Sequence, residues 1–203
     1  MPDSVAVEDR RPGRPRDTAL ETSVLSATVE LLLERDTRDV TISAITERSS
    51  VSRAALYRRW SSREELLAAA LDSVRSHVEL KRGATTLETI LRSYEDASAD
   101  ADGRVGALVK KRVAMGLEND QLRALSWNQH VSRRREPVAA EIRRGIESGE
   151  LAADLDIEAM IDLINGVYYY QMVVRGPDSS PEATQERVRN AVKLVWEGAL
   201  RRD

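Results

Sequence analysis

An all-α fold is predicted, on three observations. Apolar residues recur at three- and four-residue spacing through nearly every segment. Ser, Thr or Asp precedes most of these segments, several with Glu three residues on. Strand-like alternation competes nowhere, and the 10 glycines and 6 prolines fall mainly between periodic stretches.

The elements follow in order. Leu20, Val24, Ala27 and Leu31 mark a first helix, with Thr18 and Glu21 as its expected capping box and an end near Arg35. Thr41 is placed to cap a short helix over about 42–48, and Ser52 another over about 53–60. Only Ser49-Ser50-Val51 separates these two, which is the helix-turn-helix arrangement. Ser62 and Glu65 open a longer helix with the seam Leu67, Leu71, Val74 and Val78, stopped at Gly83. Thr85 and Glu88 cap the next, and Asp102-Gly103 breaks it. Val105, Val109, Val113 and Leu117 mark another. A polar helix is expected from Asp120 to about Ser148, kinked or divided by Pro137 and ended by Gly149. Asp156 caps the most apolar helix, about 157–174, and a last helix begins near Pro181.

Composition narrows the classes. With 203 residues the chain is long enough to bury a substantial core. Without cysteine it has no disulfide, thiolate metal site or cysteine nucleophile, which fits a reducing compartment. No apolar segment follows a basic start, so no secretory signal is read and a cytoplasmic location is expected. The apolar stretch 157–174 is broken by Glu158, Asp162, Asn165 and Gln171, which fits a buried helix and not a membrane span. Net charge is −3, but its distribution matters more than its sum. Arg10, Arg11, Arg14 and Arg16 precede the first helix, and Arg48, Arg53, Arg58, Arg59 and Arg63 occupy 48–63 with no acid among them. His77 and His130 lie on different helices, and no metalloprotease, nucleophile-elbow or phosphate-loop pattern occurs, so neither an enzyme nor a cofactor is expected.

The stretch from Thr41 through Val51-Ser52-Arg53-Ala54-Ala55-Leu56-Tyr57-Arg58-Arg59-Trp60 to Leu66 resembles the DNA-binding domain of the tetracycline-repressor (TetR) family, over about residues 17–70. Arg144 to Leu151, Asp154-Leu155-Asp156 and the Tyr168-Tyr169-Tyr170 run are similar to one TetR-type ligand and dimerisation domain. The resemblance implies a basic arm at 1–16, a three-helix DNA-binding domain at 17–63 and a ligand-binding and dimerisation domain at 64–203. It implies a homodimer on a pseudo-palindromic double-stranded operator, released by a small-molecule effector. The family's turn glycine is replaced by Ser50, its usual alanines by Thr46 and Ser49, and its phenylalanine by Trp60.

The residues themselves support a DNA-binding role. Ala54 and Ala55 are small enough for close approach to a duplex, and Arg53 is the type of side chain that reads guanine. Tyr57 and Arg58 are placed for phosphate or base, the alternative for Tyr57 being core packing. Thr41 and Ser52 offer hydroxyls and free N–H groups to phosphate. Arg63 resembles the family's phosphate-clamping lysine. Arg11, Arg14 and Arg16, around Gly13-Arg14-Pro15, are similar to an arm that enters an A·T-rich minor groove.

In the second part, Leu91, Tyr94, Met115, Trp127, His130, Asn165, Tyr168 and Met172 are candidate effector contacts, each with ordinary core packing as the alternative. Ile161, Ile164, Val188, Val192, Val195 and Trp196 form the expected dimer stripe, with packing inside one chain as its alternative. The rival to the whole reading is a dimeric helical binding or scaffold protein with no ligand-controlled DNA release.

Overall fold

The computed structural model describes residues 15–74, 80–98, 103–175 and 181–200. Ten α-helices make up almost all of it: α1 (Pro15–Glu34), α2 (Ile42–Ser49), α3 (Arg53–Tyr57), α4 (Arg63–Ser73), α5 (Thr86–Ser98), α6 (Arg104–Glu118), α7 (Asp120–Ser126), α8 (Ser132–Glu147), α9 (Ile157–Tyr169) and α10 (Pro181–Ala199). Among the described residues there is no strand beyond one antiparallel bridge, Leu151 to Leu200.

Two apolar cores organise the helices. The first gathers Val24, Leu31 and Leu32 of α1, Ile45 of α2, Leu56 of α3, Trp60 and Leu66, Leu67 and Leu71 of α4. Leu108 and Met115 of α6 and Leu122 of α7 complete it. A two-helix motif cannot bury its own apolar face, and α1 and α4 supply the missing surface. The expected domain boundary after Arg63 cuts across this core, since α4 is buried in it. The second core joins Ile90 of α5, Val138 and Ile142 of α8, Met160, Ile161, Ile164 and Tyr168 of α9, and Val188, Val192 and Trp196 of α10. Gly145 lets α8 close on its own exit loop: a Cβ there would stand 2.8 Å from Leu151 Cδ1. Ala152 N–H then donates to Ala199 O at 2.9 Å and ties that loop to the end of α10.

Several expectations are corrected. The described part of α1 already begins at Pro15, where a missing N–H costs nothing. Thr18 and Glu21 therefore lie inside the helix, and Glu21 pairs instead with Arg59 at 2.5 Å. The 120–147 stretch is divided at a π-helical turn, Trp127–Val131, while Pro137 is absorbed within α8. The helix opened by Asp156 gives way to a second π turn at Tyr170–Arg175. Leu117 is 83% exposed, because α6 buries Leu108, Val109 and Met115 instead.

The expected dimer stripe is also corrected. Ile161, Ile164, Val188, Val192 and Trp196 are buried within the single chain, and Val195 is half-buried against them. The apolar side chains that α9 and its π turn leave outside are Leu163, Tyr170, Val173 and Val174, and on α10 Leu194.

Candidate nucleic-acid interface

The helix-turn-helix is held by three hydroxyl caps. Thr41 Oγ1 accepts from Ala44 N at 3.2 Å, Ser52 Oγ from Ala55 N at 3.2 Å and Ser62 Oγ from Glu65 N at 3.0 Å. Glu65 returns the contact one residue early, accepting from Ser61 N at 2.7 Å. Ser50 ends α2 in the left-handed region, φ 56° and ψ 27°. That conformation turns the chain sharply enough for α3 to start three residues later, at Arg53.

These caps fix which face α3 shows. Leu56 and Trp60 point into the first core, as expected. Arg53, Ala54, Tyr57 and Arg58 are exposed, and Tyr57 is 49% exposed, so it is not a core aromatic. Ala55 is the exception among the expected contacts: it is buried, and Ala54 alone brings a small surface to the groove side. Arg53 Nη2 donates to Ser43 Oγ on α2, which makes Ser43 a neighbour of the site that helix spacing did not single out. Thr41 and Ser52 stand exposed at the two helix starts.

The arginine cluster divides. Arg48 pairs with Glu34 through two hydrogen bonds of 2.9 and 2.7 Å, and Arg59 with Glu21. The bond to Arg48 holds the Glu34 carboxyl below its ordinary range. Arg63 does not project as a free phosphate clamp. Its Nε donates to Val40 O at 2.8 Å and its Nη2 to Thr37 O, so the guanidinium pins the 3₁₀ turn Thr37–Asp39 to α4. The Arg58 guanidinium makes no hydrogen bond or ion pair among the described residues. Arg11 and Arg14 lie outside the described residues. Arg16 lies on α1, and its side chain is outside them too.

The expected effector residues do not converge. Met115 belongs to the first core, whereas Leu91 and Tyr168 pack on the second. Trp127 is 47% exposed beneath the Arg135 guanidinium, 5.4 Å from its ring centroid. His130 Nδ1 stands 2.8 Å from Asp72 Oδ2, out of line for a hydrogen bond, and Arg134 Nη1 reaches the same carboxylate at 3.0 Å. Burial pushes the His130 imidazole below its ordinary value, and Asp72 opposes that shift. Asn165 is half-buried on α9. Tyr94 on α5 and Met172 on the second π turn have side chains outside the described residues. A cleft of about 220 Å³, counting its open mouth, lies between α4 and α6 and is walled by Leu71, Val74, Val105, Leu108, Val109 and Arg112, none of them among the eight.

Comparison with known proteins accounts for both halves. Residues 24–70 match the bacterial regulatory proteins of the tetR family, and residues 83–195 match the tetracyclin repressor-like C-terminal domain. The chain belongs to the TetR family. TetR-family proteins are DNA-binding transcriptional regulators that act as dimers, and they are not enzymes. An uncharacterized HTH-type transcriptional regulator, YdeS of Bacillus subtilis, is 29% identical over 184 residues, 90% of this chain and 93% of its own. UidR of Escherichia coli, another HTH-type regulator, is 26% identical over 155 residues, 72% of this chain and 78% of its own. The crystal structure of a putative TetR-family regulator from Mesorhizobium loti shares the fold, with TM-score 0.72 at 13% identity over 93% of this chain and all of that one. No helix among the described residues is long and apolar enough to cross a membrane.

Proposed function

We propose that this TetR-family chain is a cytoplasmic dimeric repressor that reads a pseudo-palindromic operator and leaves it when a small molecule occupies the C-terminal domain. The exposed face of α3 carries the proposal: Arg53, Ala54, Tyr57 and Arg58 stand outward between two capped helix starts. A small residue flanked by cationic and aromatic groups suits entry into a major groove. Thr41 and Ser52 then sit where phosphates would pass, and the arm with Arg11, Arg14 and Arg16 leads toward the adjacent minor groove.

The dimer is proposed through the outward face of α9 and α10. Leu163, Gly166 and Tyr170 share one helix face, and Leu194 and Gly198 another. A Cβ on Gly166 or Gly198 would meet nothing within 4 Å, so the fold of one chain does not require either glycine. Each costs about 1 kcal/mol relative to alanine in a helix interior. Close approach of a second chain gives them a use.

The test is selection of DNA fragments by purified full-length protein. A palindromic motif with half-sites about one helical turn apart is expected. No enrichment at low salt from folded dimer would refute operator reading and favour a helical binding protein. The selected operator then allows small molecules to be screened by DNA release.

A further inference from the structure

Three kinds of partner hold the arginines of the DNA-binding head. Carboxylates hold Arg48 and Arg59, and the backbone carbonyls of Val40 and Thr37 hold Arg63. Arg53 is held by a hydroxyl. Its Nη2 donates to Ser43 Oγ, so a bond joins the second residue of α2 to the first of α3. Both residues are exposed. The backbone beneath them is fixed. Thr41 and Ser52 cap the two helix starts, Ser50 sets the turn between them, and Ile45 and Leu56 anchor both helices in one core.

A hydroxyl orients a guanidinium without cancelling its charge, which a carboxylate would do. Of the guanidinium's N–H donors only one goes to Ser43, and the two-point contact with guanine O6 and N7 can draw on the rest. We propose that Ser43 is a positioning residue for base reading: it holds Arg53 toward the groove before DNA arrives, and so sets how sharply α3 discriminates one base pair. Two physical effects give that result. An arginine already ordered loses less side-chain freedom on meeting its base. An arginine left free on the wrong sequence swings to a phosphate, which stands beside every base. The tether restricts that swing, so mismatched DNA loses a compensating contact. Recognition by α3 then depends on a side chain of α2 that itself touches no base. The proposal rests on the operator-reading role given above to Arg53.

The test is fluorescence anisotropy of the selected operator and its single-base-pair variants, titrated with full-length protein. Arg53→Ala locates the base pair that Arg53 reads. Ser43→Ala is expected to reduce discrimination at that pair alone by about two- to tenfold, the net value of one hydrogen bond. Ser43→Thr keeps the acceptor oxygen and should restore it. In the Arg53→Ala background Ser43→Ala should change nothing further, and its salt slope should match that of its parent. Ser43 is exposed and alanine is the better helix former, so the variant is expected to fold. Unchanged discrimination in S43A overturns the proposal. So does a uniform loss on all sequences with a salt slope lower by about one, which makes Ser43 a phosphate contact. An equal further loss in the double variant overturns it too, since Ser43 then reads a base directly. If no operator is selected, or if Arg53→Ala changes discrimination at no pair, base reading by Arg53 falls and this proposal with it. An operator read by Arg53 but indifferent to Ser43 removes this proposal alone.

Discussion

Ser50→Gly should stabilise the protein, although adding glycine usually does the reverse. Ser50 holds φ 56° and ψ 27°, a region where an L-residue pays roughly 1–2 kcal/mol. Glycine removes that cost but returns about 0.4–1 kcal/mol through the greater freedom of the unfolded chain. Nothing else is lost, because the side chain is exposed and its hydroxyl makes no hydrogen bond among the described residues. The net gain is about 0.5–1 kcal/mol. For a chain of this size that corresponds to roughly 1–4 °C in Tm. Thermal and urea denaturation at one fixed protein concentration would measure it, since a dimer's Tm depends on concentration. Ser50→Val is the control and should lower Tm, as a β-branched residue tolerates positive φ worse. A lower Tm for Ser50→Gly, or equal values for the two variants, would refute the strain argument.

Three further outcomes follow from the geometry. Arg53→Ala should weaken specific binding by about 1–3 kcal/mol and non-specific binding less, whereas Arg63→Ala should cost about 1–3 kcal/mol of stability and leave the salt dependence of DNA binding unchanged. A salt slope reduced by about one in Arg63→Ala would return that side chain to phosphate. Leu163→Glu with Leu194→Glu should give folded monomers in sedimentation, while Val192→Glu should unfold the chain; an intact double-mutant dimer would sink the proposed face. His130 is held neutral by burial in the folded state, while the unfolded chain takes up its proton near pH 6.5. Its stabilising contribution is therefore full above that pH and is lost as pH falls from there through the lower folded value. His130→Gln should flatten the Tm curve below about pH 6.5, and an equally steep curve would assign the slope to another group.

Local chemistry was legible in the sequence. The caps at Thr41, Ser52, Ser62 and Asp156 depend on partners three residues away, and each forms as read. The two π turns were not legible, because they shift hydrogen-bond partners by one residue without changing the apolar pattern. Periodicity identified the stripe through Val188, Val192 and Trp196 but could not say whether the partner was α5 and α9 of the same chain or a second chain. The fates of Arg48, Arg59 and Arg63 depended on Glu34, Glu21 and the carbonyls of Thr37 and Val40, 14 to 38 positions away. No local rule connects residues so far apart.

The self-paired arginines also set how the molecule meets a genome. Arg48 and Arg59 carry their own counter-charges, Arg63 is engaged by backbone, and the whole chain is net negative. Generic attraction to duplex DNA grows with the number of phosphates neutralised. Pairing arginines internally lowers that number without touching the α3 side chains that face outward. Non-cognate sequence, which outnumbers any operator by about 10⁶ or more, then competes less for each dimer. Fewer dimers are then held on non-cognate sequence, and more remain free to find a specific site.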